Sequence, residues 1–74
     1  MNNADALLET ISDYFELDPQ KITINTSREE IEEWDSFAHV NLIIAIEKKF
    51  NKSFSVSDIS DITNINDIYQ LIKN

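Results

Sequence analysis

The sequence predicts an all-α fold, a small four-helix bundle with three longer helices and one short one. Two observations carry this. Apolar residues recur at helical steps in four separate stretches, and the chain's one alternating strand-like run has no second run to pair with. The 74 residues are expected to form a single domain, 1–74. A domain of this size buries only about 60% of the surface its unfolded chain exposes, so its core is thin. With no cysteine and one histidine, neither a disulfide nor the usual zinc spacing is available as a staple, and stability has to come from helix packing.

Leu7, Leu8, Ile11, Tyr14 and Phe15 mark the apolar face of a first helix over 4–17, with Asp5, Glu9, Asp13 and Glu16 opposite. Pro19 ends it, because proline disfavours helical geometry in the residue before it and donates no backbone bond. Residues 21–26 alternate but lack a partner strand, so they are expected as loop with Ile22 and Ile24 turned inward. Ser27-Arg28-Glu29-Glu30 has the form of a capping box and suggests a single turn over 27–31. The main helix starts at Asp35 or Ser36 and runs to Phe50, with Phe37, Val40, Ile43, Ile44 and Phe50 along one broad side. Leu42, Ala45 and Ile46 fill out the rest, and Asn51 is the expected C-cap. Val56, Ile59 and Ile62 at three-residue steps suggest the short helix, with Asp58 and Asp61 turned to water. Ile65, Ile68, Tyr69 and Ile72 form the stripe of the last, capped by Asn64 with Asp67 three residues on.

The absence of glycine excludes Gly-rich phosphate loops, and with them nucleotide binding by those routes. Fourteen acids against six bases give a net charge of −8, which opposes nucleic acid and anionic membrane surfaces and points to basic protein partners. All of that charge lies in the first half: residues 1–35 hold ten acids and two bases, and residues 36–74 four of each. The longest apolar run, 42–46, is far short of the ~20 residues needed to span a bilayer, and no basic-then-apolar leader opens the chain, so membrane insertion is not expected and a cytoplasmic location is.

Glu33-Trp34-Asp35-Ser36-Phe37 places an acid and a hydroxyl at the start of the most apolar helix. On those residues alone a structural cap is the favoured reading, since Ser and Asp are preferred there. The longer stretch Trp34-Asp35-Ser36-Phe37-Ala38-His39-Val40-Asn41-Leu42, with Ile46-Glu47-Lys48-Lys49-Phe50 after it, resembles the acyl carrier protein family at its Asp-Ser-Leu site and second helix. Leu17-Asp18-Pro19-Gln20-Lys21-Ile22-Thr23 resembles that family's first loop, and Ile62-Thr63-Asn64-Ile65-Asn66-Asp67-Ile68 the start of its last helix, so nearly the whole chain is covered.

The resemblance implies that Ser36 bears 4′-phosphopantetheine through a phosphodiester, with Trp34, Asp35 and Phe37 beside the arm. The arm supplies the thiol that the sequence lacks and carries acyl groups as thioesters. The chain would then be a carrier and not an enzyme, modified by a Mg-dependent phosphopantetheinyl transferase and visited, as a monomer, by acyl-transferring or acyl-ligating enzymes. Asp35, Phe37, Val40, Asn41, Ile44 and Glu47 are the implied partner contacts. A phosphodiester is favourably placed at a helix start, where unsatisfied N–H groups and the positive end of the dipole face it.

His39 lies three residues after Ser36, but a Ser–His pair has no orienting acid here, and a solvated histidine is expected. Trp34 is expected as a partly buried anchor bordering the arm. The acid run Glu29, Glu30, Glu32, Glu33 and Asp35 is expected as a solvated face with no dedicated metal site; weak divalent-cation binding is the minority reading.

Two features depart from fatty-acid carriers: a nearly neutral second helix, with Ala38, His39 and Asn41 early and Lys48 and Lys49 late, and Trp34 in place of glycine-containing versions of the site. They point away from housekeeping fatty acid biosynthesis toward a specialised lipid, polyketide or glycan-modifying pathway. A stand-alone peptidyl or D-alanyl carrier, and a carrier-like docking domain that is never modified, are the alternatives.

Overall fold

The computed structural model describes residues 3–73, and among these there are four α-helices and no strand. Helix α1 covers Asn3–Phe15, α2 Ser36–Phe50, α3 Val56–Ser60 and α4 Ile65–Ile72. The all-α four-helix architecture with one short helix is therefore the observed one. Helix α1 packs against both α2 and α4. The core comprises Leu7, Ile11 and Phe15 from α1, Leu42, Ile43 and Ile46 from α2, and Ile65, Ile68 and Ile72 from α4, closed by Ile22, Ile31, Trp34 and Ile62 from the connections.

Helix α1 stops two residues before the expected end, and proline is not what stops it. Glu16 takes a left-handed conformation (φ 56°), the Glu16 N–H donates to Asp13 O (3.3 Å) and the Leu17 N–H to Ser12 O (2.8 Å). This is a Schellman closure, made here without the usual glycine. Pro19 instead opens a separate 3-10 turn, Pro19–Lys21, whose Gln20 N–H is capped by the Asp18 carboxylate at 2.9 Å. Tyr14 was expected on the buried face and is 38% exposed. The helix turns Leu7, Ile11, Ser12 and Phe15 inward, and at 3.6 residues per turn Tyr14 falls at the edge of that arc.

The long first connection is stitched to the start of α4, which its sequence does not suggest. Ser27 and Asn64 form an isolated antiparallel bridge, the Arg28 N–H donates to Thr63 O at 2.8 Å, and the Ile65 N–H to Thr26 O at 3.0 Å. Ile22 is buried and Ile24 half-buried, as expected. The turn after Ser27 forms as a 3-10 turn, Arg28–Glu30, with the Glu30 carboxylate accepting from the Ser27 N–H at 3.0 Å.

The inward face of α2 differs from the expected one. His39, Leu42, Ile43 and Ile46 are buried, at i, i+3, i+4 and i+7, whereas Phe37, Val40 and Ile44 are 79%, 54% and 44% exposed. Successive residues turn by 100°, so a face centred on Leu42 and Ile46 leaves Phe37, Val40 and Ile44 on the opposite side. Asn51 ends the helix in the left-handed conformation (φ 55°), as expected. Helix α3 is shorter than the Val56, Ile59, Ile62 spacing implied: Val56 at its start is 81% exposed, and Ile62 is buried from the turn beyond its end.

Candidate functional site

Asp35 takes up the capping role at the start of α2. Its backbone is extended (φ −89°), its carboxylate accepts from the Ala38 N–H at 2.8 Å, and its carbonyl accepts the first intrahelical bond, from the His39 N–H, at 2.8 Å. With that role filled, Ser36 stands as the first helical residue, exposed, and its hydroxyl has no partner among the described residues. The Ser36 and Phe37 N–H groups belong to the first turn, which no intrahelical carbonyl serves.

Behind the hydroxyl lies a buried bridge. Trp34, 4% exposed, donates its indole Nε1–H to His39 Nδ1 at 2.9 Å, and His39 Nε2 lies 2.9 Å from the Ile59 carbonyl of α3. Since Nδ1 accepts, Nε2 carries the proton and donates to Ile59. The rings of Trp34 and His39 are inclined by 29° with centroids 6.0 Å apart, and Phe15 packs on Trp34 from α1 at 5.8 Å. The expectation of a solvated His39 is therefore wrong: it is 5% exposed. Burial is tolerated because both ring nitrogens are satisfied, and for the same reason neither is available to Ser36 as a base.

Ser36 opens onto a groove of about 500 Å³ walled by Val40 of α2 and by Val56 and Ile59 of α3, with Arg28 reaching it from the 3-10 turn. Trp34 does not line this groove. It lines a neighbouring cavity of about 630 Å³ with Ile31 and Ile62, and Arg28 and Ser60 border both. Of the other anticipated contacts, Phe37, Val40 and Ile44 form the exposed apolar side of α2. Asn41 is half-buried, its amide donating to Phe37 O at 3.2 Å, and Glu47 accepts from the Phe54 N–H at 2.8 Å, which ties down the α2–α3 connection. Glu29, Glu30, Glu32, Glu33 and Asp35 are all exposed, and among the described residues no group of three or more His, Cys, Asp or Glu is arranged to hold a metal ion.

Arg28 was not anticipated at the site. The signal was present in the sequence: it is the only base between Lys21 and Lys48, inside the most acidic stretch of the chain. An exposed hydroxyl without a partner, at a helix start and beside a mostly apolar groove that holds one cation, fits an anionic group continued by an apolar chain.

A search of the curated proteins returns no match. The family described as "Phosphopantetheine attachment site" matches residues 5–72. Its domains bear 4′-phosphopantetheine covalently on a serine and act as carriers that meet transferases and acyl-handling enzymes, without being catalysts themselves. With the match running from α1 to the end of α4, over a helical bundle of the expected kind, this chain belongs to the phosphopantetheine-attachment family of carrier domains.

Proposed function

We propose that Ser36 is the attachment serine, that residues 1–74 form one carrier domain, and that it presents acyl groups as thioesters to the enzymes of a specialised pathway. The observation that supports this most is the Ser36 hydroxyl, exposed and without a partner while Asp35 caps the helix. When bound, phosphopantetheine supplies the thiol on which an acyl group is held. The protein's own residues orient it: Asp35 sets the helix start, and the Trp34–His39–Ile59 bridge holds α3 as the far wall of the groove.

The exposed side of α2 supports the specialised reading. Phe37, Val40 and Ile44 offer apolar contact, Lys48 and Lys49 are exposed, and the one acid of the helix, Glu47, is engaged with the α2–α3 connection. Partners that dock through strongly basic patches would find little to steer them here, because steering depends on complementary charge. The carrier works as a monomer in the cytoplasm, without binding nucleic acid, in keeping with its charge of −8; no described helix is long and apolar enough to cross a membrane.

Intact-mass analysis after co-expression with a phosphopantetheinyl transferase tests the reading. One arm is expected on the wild type and none on Ser36→Ala, and Val40→Asp with Ile44→Glu should slow the later loading of the arm by the chain's own partner enzyme. A wild type left unmodified by several transferases, or a labelled alanine variant, would refute the assignment of Ser36. An aminoacyl group on the natively isolated arm would identify an aminoacyl carrier instead.

A further inference from the structure

Arg28 is a cation in an unexpected place. It follows Ser27 in the most acidic part of the chain, yet among the described residues its guanidinium takes part in no ion pair, and it lines the groove that Ser36 opens onto. Its backbone is fixed there by the bond from its N–H to Thr63 O (2.8 Å), which ties the 3-10 turn to the start of α4. The rest of that groove is mostly apolar, walled by Val40, Val56 and Ile59. The arrangement therefore offers one positive charge, one attachment hydroxyl and an apolar floor in a single concavity.

We infer that Arg28 binds the phosphodiester of the arm on Ser36 and so lays the arm along the α2–α3 groove. This rests on the assignment of Ser36 made above. A guanidinium presents several N–H donors in a planar fork that matches two oxygens of a phosphate, and such charge-assisted bonds are stronger than neutral ones. The occupant is set by covalent attachment: a phosphodiester on Ser36 enters the groove that Arg28 lines, and its charge complements the guanidinium. The apolar walls then receive the branched aliphatic part of the arm. Glu29 and Glu32 line the neighbouring cavity, which Arg28 also borders, and neither lines the groove of Ser36.

The test compares apo and phosphopantetheinylated chains carrying Arg28, Arg28→Gln or Arg28→Lys. Two readouts serve: the ³¹P resonance of the phosphodiester, and the apo-to-holo shift changes of the Val40, Val56 and Ile59 methyl groups. Arg28→Gln should reduce the methyl changes by about half or more and move the ³¹P resonance, with Arg28→Lys intermediate because it keeps the charge and loses the fork. Added salt should shrink the wild-type changes toward those of the glutamine variant. Apo spectra of the three chains outside the turn should coincide, since the backbone bond to Thr63 is retained. Equal changes in all three modified chains overturn this inference while leaving Ser36 as the attachment site. A chain that accepts no arm overturns both.

Discussion

Two helices of this protein have a serine at their start, Ser55 as the cap before α3 and Ser36 as the first residue of α2, and the two serines do different things. At α3, Ser55 is the cap: its hydroxyl accepts from the Asp58 N–H at 3.0 Å, and the Asp58 carboxylate accepts in return from the Ser55 N–H at 3.3 Å. At α2, the cap is Asp35, and Ser36 sits one position further in with its hydroxyl facing solvent. A shift of one residue separates a structural hydroxyl from a chemically available one. A cap side chain binds N–H groups ahead of it, whereas at the first helical position the side chain points away from them.

The largest effect is expected at the bridge that joins these two helices. His39→Ala leaves the Trp34 indole N–H buried without a partner, a loss of about 1–3 kcal/mol, while the Ile59 carbonyl keeps the Ile62 N–H at 3.4 Å. His39→Gln should recover much of it, since its amide both accepts and donates. Chemical denaturation followed by the fluorescence of Trp34, the single tryptophan, measures both variants. An alanine variant as stable as the wild type would show that the two helix starts are independent of each other.

The caps come next. Asp35→Ala and Ser55→Ala should each cost about 1 kcal/mol, while Ser36→Ala should change stability by no more than about 0.5 kcal/mol. The same denaturation experiment decides. If Ser36→Ala destabilises as much as Ser55→Ala, the Ser36 hydroxyl is a cap after all and the contrast fails.

The smallest effect concerns a third helix start. The Asp67 carboxylate accepts from the Thr63 N–H and hydroxyl, both at 2.9 Å. The Thr63 backbone bond chiefly holds its pKa below the ordinary 3.8, against desolvation, with further help from the Thr63 hydroxyl and the Asn64 backbone. A carboxyl depressed in the folded state stabilises fully above its unfolded value, and that contribution is lost as the pH falls through the lower folded value. Amide exchange at Thr63, followed from about pH 6 down to about pH 3, should therefore accelerate, beyond its intrinsic pH trend, only in the acid range, and Asp67→Asn should abolish that acid step. An identical profile in both chains would remove Asp67 from the start of α4.

The chain's local pattern was enough to locate the helices and their starts. The caps at the start of α2 and at Asn64, and the Ser27 turn, are legible because capping depends on residues within one turn of each other, whereas the choice of Asp35 over Ser36 as the cap is made by the structure. The apolar stripe of α4 reads directly as its buried face, because Ile65, Ile68 and Ile72 have polar residues around them. Helix α2 does not read this way. With Phe37, Val40, Leu42, Ile43, Ile44, Ala45 and Ile46 spread around its circumference, no single face is marked, and packing against α1 selected the one that buries His39. Histidine could go inside only because Trp34, five residues back, and the Ile59 carbonyl, twenty residues on, met its two nitrogens. The end of α1 is likewise not legible in the sequence, since the Glu16 closure carries no glycine to announce it. Tertiary structure also decided the place of Arg28: the bond from its backbone to Thr63 spans 35 positions, and a contact of that range leaves no trace in local periodicity. What the sequence determined by itself was therefore the four helices and an acid–hydroxyl pair at the start of α2, and what only the packed chain decided was which of the two serves as the cap, the groove and the single cation beside it.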